Sequence, residues 1–413
     1  MSTTNISTIL FTHYGDNWIR GSERCLLDLI THIDKSIFKV VLWCNTKSMA
    51  DAAEELEIDV ILSDFSVLTD HSSYLPIAKY LRLVKQGIGI IDKYNISLIH
   101  ANSGAPNLIM NFVARARRIP LIAHLHSHYP LRERLLFGLH QVSMVIGVSN
   151  KILLPLIDDG FPMSKIKAID NGLDIKLLLT QPRSSIRNQL GIGADKLLIA
   201  TTGSLIHRKG IDKIINATIE LNKKGLPIHL VVFGDGPERR KLQYQIQHSG
   251  TTHCIHLVGE KKNIVGLLQS GVDIFVASSR DEAFGLSLAE ASLAGIPVIA
   301  PRIGETMRII KHGKSGKLLN INTSSALADA INELYLAPDE RKLMGTIGKY
   351  HISKHFNIKR YVDDFEKLYL NTISDTSMTL SWFSHWNISG PLLAACRSIW
   401  RQLTIQSSKG EVQ

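Results

Sequence analysis

Short apolar runs rich in β-branched residues recur along the chain, and helical patterns fill the spaces between them. In the first half the runs are "ISTILFTH", "FKVVLWC", "ISLIHA", "IPLIAHLH" and "MVIGVS"; in the second they are "KLLIATTG", "IHLVVFG", "DIFVASS" and "IPVIAP". These runs are continuous rather than alternating, as in strands covered on both faces of a parallel sheet. Between two of them, "GIDKIINATIELNKKG" predicts a helix. Ile211, Ile214, Ile215 and Leu221 share one of its faces, and Gly225 suits its stop. Strand–helix alternation of this kind predicts an α/β protein with doubly wound parallel sheets.

The alternation pauses at "KLLLTQPRSSIRNQLGIGADK", residues 176–196, which reads as a linker. A fresh first strand follows at Lys196–Gly203. The pattern therefore predicts two Rossmann-like domains of similar size facing each other across a cleft, with ligands beyond the carboxyl ends of the strands. After about residue 372 the pattern changes again. Trp382, Phe383, Trp386 and Trp400 stand among few acids, with Arg397 and Arg401 nearby. This tail reads either as a docked terminal helix or as a membrane-interface segment with aromatics at headgroup depth.

Composition narrows the class. The 413 residues are 45% hydrophobic, enough for two ordinary cores. Cys25, Cys44, Cys254 and Cys396 lie far apart with no C-x-x-C, so neither a zinc site nor a disulfide framework is indicated. The N-terminus lacks a basic segment followed by a long apolar core, and no window reaches the length of a membrane span. A cytoplasmic protein is expected, peripheral at most. Lys and Arg outnumber Asp and Glu by 47 to 37, a net charge of +10, which favours anionic partners. No basic–aromatic motif or helix-turn-helix signature points to nucleic acid.

The richest chemistry lies in "EAFGLSLAE", residues 282–290, at a strand–turn–helix junction. Ser287 and Glu290 fit a capping box on their own. Glu282 and the Phe284–Gly285 pair have no such explanation. A helix start offers free N–H groups and about half a positive charge, a ready anion site. The backbone at Gly285, Leu286 and Ser287 can then cradle a phosphate, while Glu282 and Glu290 reach sugar hydroxyls. "GSLIHRKG" places Arg208 and Lys209 just before a second helix start. Alone it is a solvated basic turn; beside the first element it reads as a cationic clamp on a pyrophosphate.

These residues resemble the retaining GT-B glycosyltransferases, specifically the large GT4 group (glycosyl transferases group 1). "EAFGLSLAE" matches that family's E-x7-E element, and "GSLIHRKG" is similar to its "G-R-L-x-x-x-K-G". "VVFGDGPERRKL", "AIDNGLD" and "RGSERCLLDL" resemble further family elements, in family order, so that the likeness spans nearly all of residues 5–370. It implies an acceptor-binding domain over 1–180, a nucleotide-sugar-binding domain over 181–357, a terminal helix over 358–372 crossing back to the first domain, and an extension over 373–413. It implies that Lys209 binds the leaving diphosphate, Glu290 the ribose, and Glu282 with the backbone of Phe284, Gly285, Leu286 and Ser287 the donor sugar and phosphates. Gly21 lets the N-terminal loop approach the diphosphate. His126 matches the family's histidine after a strand, and with Glu282 and Lys209 completes the implied catalytic set. The likeness also points to bacterial surface polysaccharides.

The chain departs from the family pattern at Ser204 in place of Arg, Arg20 in place of the first loop Gly, and Arg308 in place of Glu. Arg208 is then the second phosphate cation. There is no D-x-D, so no metal and no cofactor is expected; Lys209 and the helix start do the electrostatic work. The expected partners are a UDP- or GDP-linked sugar, a glycan or lipid-linked acceptor, and an anionic membrane surface. Two other readings compete. A dinucleotide-dependent oxidoreductase needs G-x-G-x-x-G after the first strand, which "THYGDNWIRGS" lacks. A non-catalytic sugar-binding scaffold has no need of Lys209, Glu282 and Glu290.

Overall fold

The computed structural model describes residues 6–65 and 76–383. The chain divides into two compact units. One comprises the chain up to residue 171 together with the segment from 359 onward; the other is residues 172–358.

The first unit is built on a seven-stranded parallel sheet. Its strands are β1 (Ser7–His13), β2 (Phe38–Cys44), β3 (Asp59–Leu62), β4 (Ile96–Asn102), β5 (Leu121–Leu125), β6 (Met144–Gly147) and β7 (Ile166–Ala168), in the order β3-β2-β1-β4-β5-β6-β7. The second carries a six-stranded parallel sheet of β8 (Leu197–Thr202), β9 (Ile228–Phe233), β10 (Ile255–Gly259), β11 (Ile274–Val276), β12 (Val298–Pro301) and β13 (Gly316–Leu319), in the order β10-β9-β8-β11-β12-β13. The α/β reading holds: both sheets are doubly wound. In each, the chain adds strands on one side of the first strand and then crosses to the other. The order reverses between β1 and β4 in the first unit and between β8 and β11 in the second, and such reversals open the crevice where ligands of these folds bind.

Helices cover the sheets. The helix Ile211–Lys223 buries Ile211, Ile214, Ile215 and Leu221, and Gly225 follows it at φ +82°. The helix Ile358–Ser374 closes the first unit with a stripe of Tyr361, Phe365, Leu368 and Tyr369, all buried. Their spacing of four, three and one residues keeps them on one face. Tyr369 meets Phe11 and Phe38 edge-on at 6.2 and 5.9 Å, and Phe365 lies 5.4 Å from the His100 ring. Burying one such ring is worth about 1.5–3 kcal/mol.

Three expectations need correction. The division between units falls after residue 171, not after 180, and the 176–196 stretch is not a free linker. It forms the helices Ile175–Leu179 and Ile186–Leu190, the second capped by Ser185. Arg187 ties it to the second unit by donating to the carbonyls of Gly271, Gly193 and Lys196 and pairing with Asp273. The extension expected over 373–413 begins as part of the core. Leu380 is fully buried and its N–H donates to Ile119; Ser143 donates to the Met378 carbonyl. Arg115, part of the basic stretch "ARARRIP", is itself 2% exposed and donates to the carbonyls of Ser381 and Gln141. The cluster at Trp386, Arg397, Trp400 and Arg401 lies outside the described residues. No helix among the described residues is long and apolar enough to cross a membrane.

Candidate active site

The second unit's reversal point is assembled by two loops. The loop after β8 turns through the short 3-10 helix His207–Lys209 into the helix beginning at Ile211. The loop after β11 runs from Ala277 to the helix Leu286–Leu293. Side chains and backbone zip the two together. Arg280 pairs with Asp212 at 2.9 Å, its N–H donates to the Arg208 carbonyl at 2.7 Å, and Arg208 donates to the Asp281 carbonyl at 3.0 Å. Gly210 makes this approach possible. A Cβ there would stand 2.2 Å from the Ser278 carbonyl oxygen, and its φ of +64° disfavours any other residue.

This zipper delivers Lys209 to Glu282, with Nζ 2.7 Å from Oε2. Ser279 donates to the same oxygen at 3.1 Å, so both contacts use Oε2. Three residues on, Gly285 at φ +103° is the N-cap of the helix Leu286–Leu293. It carries no side chain to satisfy the first N–H groups of the helix, the condition under which a helix start can take an anion. The capping-box reading of Ser287 and Glu290 is thereby overturned. The N-cap lies two residues before Ser287, which sits inside the first turn, where its hydroxyl is not in the capping position. Glu290 follows one turn in, half-buried. Phe284 contributes backbone alone: its side chain is buried 5.7 Å from the Phe356 ring.

Gly21 and His126 belong to the first unit. Gly21 is the exposed first residue of the helix Gly21–His32 and has no unusual backbone angle. His126 lies one residue beyond β5, half-buried, and its Nε2 is 2.7 Å from Asn102 Oδ1 at the end of β4. Burial pushes its pKa down to about 4, although the charge of Glu23 pulls the other way. The neighbouring His124 is structural: buried, with Nδ1 3.2 Å from His100 Nε2, while His100 Nδ1 is 2.6 Å from the Tyr369 hydroxyl. Sequence reasoning missed His13, Glu23 and Asn102, which meet here. His13 and Asn102 end the two strands that flank the first unit's reversal point, and polar residues closing apolar runs were the signal available. Among the described residues, no three His, Cys, Asp or Glu side chains converge as a metal site.

Comparison with known proteins adds the following. Residues 182–351 match the family model described as glycosyl transferases group 1, and residues 19–177 match the one described as Glycosyltransferase Family 4. The N-acetyl-alpha-D-glucosaminyl L-malate synthase of Bacillus anthracis is 22% identical over 306 residues, covering 71% of this chain and 80% of that protein. The GDP-mannose-dependent alpha-(1-6)-phosphatidylinositol monomannoside mannosyltransferase of Mycolicibacterium smegmatis is 24% identical over 279 residues, covering 63% and 73%. Among solved structures, Anabaena HepE in complex with UDP and glucose superposes with a TM-score of 0.75 at 22% identity, over 88% of this chain and 99% of that one. That likeness shows a shared fold of two parallel-sheet Rossmann-like domains.

Proposed function

We propose that this chain, which belongs to the GT-B glycosyltransferases of group 1, moves a sugar from a nucleoside diphosphate donor to a glycan or lipid-linked acceptor, with retention at the anomeric carbon. The observation that carries the reading is the second unit's reversal point, where a half-buried lysine, a buried carboxylate and an uncapped helix start are held within one pair of zipped loops. Departure of a nucleoside diphosphate builds negative charge on phosphate oxygens. Lys209 and the free N–H groups after Gly285 are already in place to receive it, which is electrostatic stabilisation without reorganisation. Glu282 holds Lys209 through Oε2 and offers Oε1 to a sugar hydroxyl; Glu290 takes the ribose. This arrangement needs no divalent metal. The relatives' names support a nucleotide-sugar donor of the UDP or GDP kind and a small polar or lipid-borne acceptor.

The acceptor side of the proposal is a lipid-linked intermediate of surface polysaccharide, met at the inner face of the cytoplasmic membrane. The net charge of +10 supports it. So do Trp382 and Phe383, which are exposed at the end of the described chain, Trp382 lying 5.9 Å from the half-exposed Phe112 ring. Screening the purified protein against UDP- and GDP-sugars by thermal shift tests the donor. A cognate donor at 100 times its dissociation constant raises stability by about 2.7 kcal/mol. A panel in which no nucleotide sugar raises the unfolding temperature overturns the reading. A donor that binds but is neither transferred nor hydrolysed turns it into the non-catalytic scaffold.

A further inference from the structure

Four polar side chains form a line at the first unit's reversal point, from a buried carboxylate to a partly exposed imidazole. Glu23, in the first turn of its helix, lies with Oε1 3.3 Å from His13 Nε2. His13 Nδ1 lies 3.1 Å from Asn102 Nδ2, and Asn102 Oδ1 lies 2.7 Å from His126 Nε2. Glu23, His13 and Asn102 are almost wholly buried, and His126 alone reaches the surface.

The hydrogen-bond partners assign the protons along this line. Asn102 Nδ2 also faces the Ser22 carbonyl at 3.4 Å; turning the amide over would set oxygen against oxygen. So Asn102 donates to His13 Nδ1, and His13 carries its proton on Nε2, toward the carboxylate. The contact to Glu23 is the longest of the line and is not aligned as a hydrogen bond; Glu23 acts on His13 Nε2 as a carboxylate charge 3.3 Å away. Asn102 Oδ1 accepts, so His126 carries its proton on Nε2. Glu23 is fixed in turn by the Arg20 N–H on Oε2 at 3.1 Å and the Ser22 hydroxyl on Oε1 at 3.0 Å. Burial pushes the Glu23 carboxyl up, but its contact with His13, together with the backbone and Ser22 bonds, outweighs burial and holds the pKa at about 2. Its charge therefore persists at neutral pH.

We propose that Glu23, His13 and Asn102 are positioning residues that fix His126 in its Nε2–H form and leave bare Nδ1 as the ring nitrogen presented to a substrate hydroxyl. This rests on the reading of His126 as a substrate-site residue, but the proton arrangement itself stands without it. Glu23→Gln reverses the whole line. The Arg20 N–H demands the amide oxygen, so the new NH2 faces His13 Nε2. His13 then moves its proton to Nδ1 and Asn102 turns over, giving up its 3.4 Å contact to the Ser22 carbonyl, the longest bond that holds the amide, so that His126 becomes the Nδ1–H form, against the intrinsic preference of histidine.

The test is long-range 1H–15N correlation of histidine rings in the full-length chain at pH 7.5, without substrate. In the wild type, His13 and His126 both show protonated Nε2 and bare Nδ1; a protonated Nδ1 in either overturns the proposal, and this outcome needs no variant to fold. In Glu23→Gln the majority form of His126 inverts. In Glu23→Gln combined with Asn102→Ala it does not, because the connection is cut. Inversion in the double variant, or none in the single one, overturns the proposal. With a donor and acceptor in hand, Glu23→Gln lowers kcat about tenfold or more while donor affinity, set in the other unit, stays within twofold. An inactive wild type with the expected ring protonation removes the functional reading and leaves the line intact.

Discussion

The two reversal points handle polarity in opposite ways. In the second unit, Lys209 faces Glu282 across 2.7 Å and the polar groups are formal charges beside an uncapped helix. In the first, one carboxylate is buried and the remaining members are neutral rings and an amide, hydrogen-bonded from Tyr369 through His100 to His124 and from His13 through Asn102 to His126, with Glu23 3.3 Å from His13. Charges in a partly wet crevice neutralise a charged ligand. A neutral hydrogen-bonded line neutralises nothing, but it fixes which atoms donate and which accept. One parallel-sheet architecture thus supplies an electrostatic site and an orienting site from the same place in its topology.

Breaking the charged side has the largest expected effect. If Lys209 binds the donor diphosphate as proposed, Lys209→Ala removes a charge-assisted hydrogen bond worth about 1.5–3 kcal/mol, or ten- to a hundredfold in donor dissociation constant by calorimetric titration. Glu290→Ala weakens donor binding at the low end of that range. A lowered unfolding temperature with unchanged donor affinity would instead give Glu290 a purely structural role. Unchanged donor affinity in both variants removes the phosphate-site assignment.

Acid sharpens the contrast. Burial holds His100 at about 3 and His124 well below its ordinary 6.5; the charges of neighbouring histidines add to it. Their folded pKa values lie below the unfolded one, so their neutral burial costs nothing above pH 6.5 and costs stability as pH falls below it. One pH unit below 6.5 the two together cost about 3 kcal/mol. Glu23, depressed from 4.5 to about 2, contributes stability that is intact above 4.5 and lost only as pH falls toward 2. Between pH 6.5 and 4.5 the histidines therefore act without Glu23. Burial also lowers His229 in β9 and His256 in β10, but less than His100 and His124, so amide exchange should accelerate in β4 and β5 before β8 and β11. Equal acceleration in both sheets contradicts this account.

Two smaller effects complete the series. Anionic liposomes should sediment the full-length chain at low salt, with loss of binding on truncation after Phe383. Cutting after Asn371 is uninformative, because it removes buried Thr372 and Leu380. The smallest effect expected is none: transfer should survive excess EDTA. Activity that vanishes and returns with Mg²⁺ places the phosphate charge on a metal instead of Lys209.

The strands that hydrophobic patterning identified are β1, β2, β4, β5 and β6 in one sheet and β8, β9, β11 and β12 in the other. The four it missed, β3, β7, β10 and β13, are the two edges of each sheet. The reason is physical. A central strand is covered on both faces and writes a continuous apolar run, whereas edge strands such as Asp59–Leu62 and Ile166–Ala168 are short and only half-buried. The site divided similarly. The meeting of Lys209 and Glu282 was legible because each sits in a loop whose local sequence marks it out. Glu23, His13 and Asn102 were not. They come from three elements, and only the placement of β4 beside β1 brings Asn102 to His13 across 89 residues. The helix start at Gly285 was misjudged in its cap because Ser287 and Glu290 have the right spacing two residues too late.

The helix Ile358–Ser374 carries a further consequence, one of timing on the ribosome. The second unit, residues 172–358, is a continuous stretch and can fold as soon as it emerges. The first unit is split: everything up to residue 171 is made early, but the face that covers Phe11, Phe38 and His100 is translated only after residues 172–358 have been made. At about 5–20 residues per second that interval is roughly ten to forty seconds. Throughout it the nascent first sheet must wait with an apolar face open. The N-terminal half of this protein is therefore the last part to be finished.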